Sequence, residues 1–288
     1  MSTPIQRRNP TIQADQFIIG CLYDIKHTDI VVSHSMALAK MIHKGLILLY
    51  IEDPQYNNPS KDTILPELQQ LCETLRCTYA DVNYCALKGK TKDIVNILPT
   101  RLNGIVAVTE IDKRATRKNG NNPRTVLRNF SDSKIAYLTA QEPYRGQMND
   151  IALTIDFSKE SKDKMLWASY YARFNKSNVH ILHEKYKDEG LKLKWHYNMK
   201  FLDKIFNGLK LTYIKEPFIR KTAFIDVCAL EYSQNKGYDL FISVTRDTRA
   251  IDPLEFIIGT QEQRTIKNPY QIPVLFINTK NETYILCD

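Results

Sequence analysis

Apolar positions along this chain fall into two alternating arrangements. Short continuous apolar runs, such as Ile47 to Ile51 and Val179 to Leu182, read as strands covered on both faces. Between them, small and apolar residues recur at spacings of three then four, as in Val32, Ser35 and Ala39 or Met165, Ala168 and Ala172, the spacing that lays one helix face against a sheet. The pattern occurs twice. The stretch from 17 to 51 aligns on that from 151 to 182 with a constant offset, because Tyr23 and Asp156, Ala39 and Ala172, and Leu49 and Leu182 each stand 133 residues apart. Each half then continues with a third strand ("DVNYCAL", "LKLTYI"), a fourth ("GIVAVT", "YDLFISV") and a fifth ("KIAYLTA", "IPVLFIN"), with helical stretches between them.

Strand and helix alternating in this way predict an α/β fold of two tandem doubly wound, Rossmann-like domains. Each is expected to hold a five-stranded parallel sheet with helices on both faces and to bind ligands in the crevice beyond the carboxyl ends of its strands. The seam is expected near "QEPYRGQMND", giving a first domain over 1–145 and a second over 146–288, joined as an intramolecular pseudo-dimer that could pair again as a homodimer.

Composition narrows the class. A hydrophobic fraction of 43% with 25% charged residues is that of an ordinary globular protein. No apolar run approaches the roughly 18 residues a membrane span needs, and the opening "MSTPIQRRNPTIQADQ" lacks the apolar core of a signal peptide, so a cytoplasmic protein is expected. The six cysteines form no C-x-x-C pair and are expected to be reduced core thiols. The net charge of +8 is spread along the chain, apart from "DKRATRK" at 112–118. Without interleaved aromatics or a recognition motif, a nucleic-acid partner is not expected, although such loops could attract a small anion.

Candidate chemistry is sparse. "LKGKT" at 87–91 ends like a phosphate-binding loop but lacks its first glycine and follows a third strand, so a turn with Thr91 at a helix start is the better reading. His180 and His183 are three apart in a strand and point to opposite faces, which argues against a zinc pair. No nucleophile elbow or metal-hydrolase motif occurs, so no catalytic constellation is found and an enzyme is not expected. The segment Asp156-Phe157-Ser158 ends the second half's first strand, placing a carboxylate at the crevice, where it can accept hydrogen bonds from a ligand or, with Ser158 or Ser161, cap the next helix.

That strand-Asp-Phe-Ser-x-x-Ser segment, the small-residue helix after it, and a fourth strand followed by Gly259-Thr260 and a helix resemble the universal stress protein family in its tandem two-domain form, over nearly the whole chain. The resemblance implies a binding or regulatory protein with an adenine nucleotide, ATP or AMP, beside Asp156, Phe157 and Ser158. Nucleotide-binding members carry Gly-x2-Gly-x9-Gly-Ser/Thr after strand four. Here Arg246 and Arg249 occupy the first two glycine slots of the second half, and Ala107 and Glu110 those of the first, where Gly120-Asn121 ends the motif. Arginines could grip an anion and Glu110 would repel one, so a degenerate nucleotide or anion pocket is expected in the second half, formed by Asp156, Phe157, Ser158, Arg246, Arg249, Gly259 and Thr260. The alternatives are a nucleotide-dependent enzyme on a related sheet and a scaffold with closed pockets that serves a protein partner.

Overall fold

The computed structural model describes residues 16–56, 58–116, 119–219, 221–222, 224–245, 260–278 and 285. Arg246, Arg249 and Gly259 lie outside the described residues. The chain separates into two compact units, Met1–Gly146 with Lys280–Asp288, and Gln147–Thr279. Ile285 is buried.

In the first unit β1 (Phe17–Leu22), α1 (Asp29–Ile42), β2 (Gly45–Glu52), α2 (Lys61–Arg76) and β3 (Val82–Lys88) are followed by α3 (Thr91–Arg101), β4 (Gly104–Glu110), α4 (Pro123–Phe130) and β5 (Ala136–Ala140). The strands are parallel in the order β3-β2-β1-β4-β5, so connections leave β1 toward one edge and cross to β4 on its other side. Every residue of β1 and β5 is buried, as the unbroken apolar runs require. Gly20 has a packing reason: a Cβ there would lie 2.9 Å from Ser35 Oγ and 3.0 Å from Leu48 Cδ2, so its absence lets the small-residue face of α1 approach the sheet. Thr91 behaves as a helix-start residue, its amide and hydroxyl donating to Asp53 Oδ2 at 2.6 and 2.8 Å.

The second unit repeats the plan with β6 (Asp150–Thr154), α5 (Ser161–Phe174), β7 (Asn178–His183), α6 (Glu189–Gly208), β8 (Ile214–Pro217), α7 (Ile225–Lys236), β9 (Leu240–Thr245), α8 (Gln261–Thr265) and β10 (Val274–Asn278). Its parallel order is β8-β7-β6-β9-β10. The third strand begins at the end of "LKLTYI" rather than spanning it. Leu209 caps α6 and the Leu211 amide returns to the Phe206 carbonyl, so those apolar residues finish the helix. What fixes β8 is polar. Glu216 faces His180 Nδ1 at 2.6 Å and accepts from Tyr232 at 2.8 Å and Tyr238 at 2.5 Å, while His180 Nε2 lies 2.9 Å from Asp150 Oδ1. Three of the four residues of this edge strand are exposed, which leaves it no hydrophobic signature.

Candidate functional site

Asp156 does follow the end of β6, but its carboxylate is already engaged. Oδ1 accepts from the Ser158 amide at 2.9 Å, the Ser158 hydroxyl at 2.5 Å and the Ser161 hydroxyl at 2.7 Å, closing an Asx turn that leads into α5. Burial alone would raise this carboxyl; Lys164 and the serine donors outweigh it and hold the group below the ordinary aspartate range. Phe157 is exposed and meets Tyr186 edge-on, and Asn198 on α6 ties the loop down by donating to the carbonyls of Asp156 and Ser158, both at 2.8 Å. Thr260 caps the five-residue α8 through Gln263 N at 3.2 Å. Of the seven candidate site residues, the structure therefore brings Asp156, Phe157 and Ser158 together as one hydrogen-bonded loop and gives Thr260 a capping role.

Beneath that loop lies a network that sequence reasoning missed. Lys164, on the first turns of α5, donates to Thr154 Oγ1 at 2.8 Å; Thr154 donates to Asp226 Oδ1 at 2.6 Å, and Ser243 donates to Asp226 Oδ2 at 2.5 Å. All four residues are buried, Lys164 with 4% of its surface exposed and Asp226 with 1%. Thr154 and Ser243 come from the adjacent strands β6 and β9, so the network sits where the strand order reverses.

The corresponding place in the first unit is a cavity of about 590 Å³. The end of β1 and the loop beyond it supply Cys21, Tyr23, Asp24, Lys26 and His27, and α1 supplies Val31. The chain after β2 adds Tyr56 and Asn58, the end of β4 adds Glu110, and the chain after it adds Asp112, Gly120 and Asn121. These walls are held in place. Tyr56 Oη accepts from Asn129 at 3.0 Å and Arg128 at 3.3 Å, and its ring meets that of Tyr23 edge-on at 6.3 Å. Asn58 donates to the Ile51 carbonyl, Asn121 donates to Glu110 Oε1 at 3.3 Å, and the Asp112 amide bonds the Asn121 carbonyl at 3.0 Å. Asn122 caps α4 through Arg124 N at 3.1 Å, with Pro123 at the first helical position. Gly120 lies flat against the Tyr23 ring, where any Cβ would collide with it. Burial, then Cys85, pushes the Cys21 thiol far above its ordinary range, so it is no nucleophile.

Several solved structures superpose on the chain through both halves. A universal stress protein from Archaeoglobus fulgidus DSM 4304 matches with a TM-score of 0.59 at 11% identity, covering 92% of this chain and 97% of that one. A protein described as a universal stress protein from Pseudomonas aeruginosa UCBPP-PA14 gives 0.62 at 11% identity, covering 91% and 93%. The fold is that of the tandem universal stress proteins. The cytoplasmic domain of a prokaryotic cation chloride cotransporter also matches, at 0.55 and 12% identity over 93% and 96% of the two chains. The universal-stress fold therefore recurs in proteins of different kinds, and function has to be argued from the site. No protein-family model matches the chain, and no curated protein does.

Among the described residues, no helix is long and apolar enough to cross a membrane, and no group of three or more histidine, cysteine or acidic side chains is placed to hold a metal ion.

Proposed function

We propose that the chain is a ligand-binding regulatory protein whose working crevice belongs to the first unit, the second having turned its matching position over to internal structure. The observation that carries this reading is the contrast between two equivalent places. Adding the repeat offset of 133 to Cys21, Tyr23 and Val31, which line the cavity, gives Thr154, Asp156 and Lys164. In the second unit those three residues are joined to one another or to their own loop. In the first, the same positions border open volume with fixed walls, the preorganised geometry a binding site needs.

What supports binding rather than chemistry is the make-up of the crevice: among its described residues there is no grouped set of metal ligands, and it offers aromatic rings, amides and charged side chains. A nucleotide or anion at the second unit would depend on Arg246, Arg249 and Gly259, while Asp156 has three donors on Oδ1 and would meet a ligand through Oδ2.

Native mass spectrometry of the purified protein is the direct test. A small molecule held at one per chain, lost in Gly120→Val, where the new side chain drives Tyr23 into the cavity, and kept in Asp156→Ala supports the first-unit crevice. Loss in Asp156→Ala and retention in Gly120→Val would overturn it.

A further inference from the structure

The lining of the first-unit crevice is electrically unbalanced. Among the described lining residues, Asp24, Glu110 and Asp112 stand with Lys26 and His27, three carboxylates against one lysine and one histidine. Burial first, then repulsion from Asp112, pushes the Glu110 carboxyl up, against a smaller pull from Asn121. Phosphate groups brought here would meet like charge, and the glycine whose openness could accommodate them is spent on the Tyr23 ring. Among the described lining residues carboxylates outnumber cations. The Asn58 carboxamide oxygen is buried with no donor among the described residues, and Tyr23 and Tyr56 add aromatic rings of the kind that attract cations.

The second unit shows what such a place accepts. At the position of Val31 it carries Lys164, whose ammonium donates to Thr154, the counterpart of Cys21, and acts on Asp156, the counterpart of Tyr23. One repeat thus supplies a cation from its own chain to the crevice floor; the other has valine there, an open cavity and a surplus of carboxylates. We infer that the first-unit crevice binds an organic cation, a protonated amine or guanidinium on a frame that fits about 590 Å³, paired with Glu110 and its acidic neighbours and laid against Tyr23 and Tyr56. This rests on the reading of that crevice as the ligand site.

The test is calorimetric titration of the full chain with agmatine and spermidine, and with ATP and adenosine as anionic and neutral probes. Agmatine or spermidine is expected to bind and ATP not. Glu110→Gln should weaken the cation at least tenfold, and so should Val31→Lys, which places in the first unit the tethered ammonium that the second already has. Should Val31→Lys fail to fold, the isosteric Glu110→Gln still decides. If ATP or adenosine binds and neither amine does, the cation class is wrong while the crevice reading stands. Silence from all four probes counts against both. Amine binding that neither substitution moves would place the ligand elsewhere and overturn the inference.

Discussion

Replacing Lys164 with methionine tests the buried network of the second unit. The substitution keeps a flexible side chain of similar length and removes the ammonium. Thr154 would lose the donor now 2.8 Å from its hydroxyl, and Asp226, 1% exposed, would keep its two hydroxyl donors but lose the ammonium at the far end of the chain through Thr154. Breaking a buried charge network by removing one partner costs about 3 to 5 kcal/mol, and a hydrogen bond to a charged group contributes about 1.5 to 3. Methionine returns roughly 1 kcal/mol through its own burial, so a net loss of about 2 to 4 kcal/mol is expected. For a unit of this size that lowers the melting midpoint by roughly 6 to 15 °C.

The assay is urea unfolding of the full chain, followed by a signal from Trp167 or Trp195, the two tryptophans, both of which belong to the second unit. Asp226→Asn and the double variant complete a cycle. If the two groups act through Thr154 as one network, the double variant should be less destabilised than the sum of the singles by about 1 to 3 kcal/mol. In Lys164→Met the Asp156 carboxyl should also rise, since burial, the leading influence on it, would then be opposed by the serine donors alone. A loss below about 0.5 kcal/mol for Lys164→Met, or additivity within that margin, would refute the argument that the second unit's floor is closed by a working ion network.

Three further outcomes are expected. Glu110 is raised in the folded state, first by burial, so the fold gains from this group below the ordinary glutamate range and loses as pH rises through the folded value; Glu110→Gln should stabilise the free protein at pH 7 by about 0.5 to 1 kcal/mol after discounting for its partial exposure, a gain that vanishes in urea titrations near pH 4. His34, buried on α1 with Nε2 3.1 Å from the Glu142 carbonyl, is lowered by burial to about 4, so stability should fall by up to about 3 kcal/mol as pH drops from about 6.5 toward 4, and a His34→Gln chain that keeps the wild-type slope over that window would contradict this. Asp150 and Glu216 are both held low, burial being outweighed by their hydrogen bonds, so their contribution is present above the ordinary carboxylate range and lost as pH falls through their folded values; His180→Phe should cost about 1 to 3 kcal/mol at pH 7 and less at pH 3 by circular dichroism melts, and an equal cost at both would show the ring acts by packing alone.

The fold was legible because its determinants are collective. The runs that became β1, β2 and β4 are mostly apolar and buried but for the last residue of β2 and β4, and one offset relates two helices by their small-residue faces, so burial on both sides of a parallel sheet left little freedom. β8 was misplaced because an exposed edge strand needs no apolar run; it is held by Glu216, whose three partners come from β7, α7 and the Tyr238 turn before β9. The site was legible in position and not in content. Asp156 drew attention as a carboxylate at a strand end, but whether it faces a ligand or its own serines depends on a loop conformation that Asn198, 42 residues later, helps to set.

Lys164 escaped notice because a lysine near a helix start reads as solvated, and only the partnership with Thr154 and Asp226 makes burial of its charge affordable. The offset that revealed the repeat also held the clue, since it aligns Lys164 with Val31 and Asp156 with Tyr23. Each exchange moves a charge or a ring into or out of the same crevice. In the second unit the carboxylate at the strand end and the cation one helix turn into α5 answer each other. In the first, the ring and the valine that replace them leave Glu110, Asp112 and Asp24 outnumbering the cations among the described lining residues, and it is this balance that favours a charged guest there.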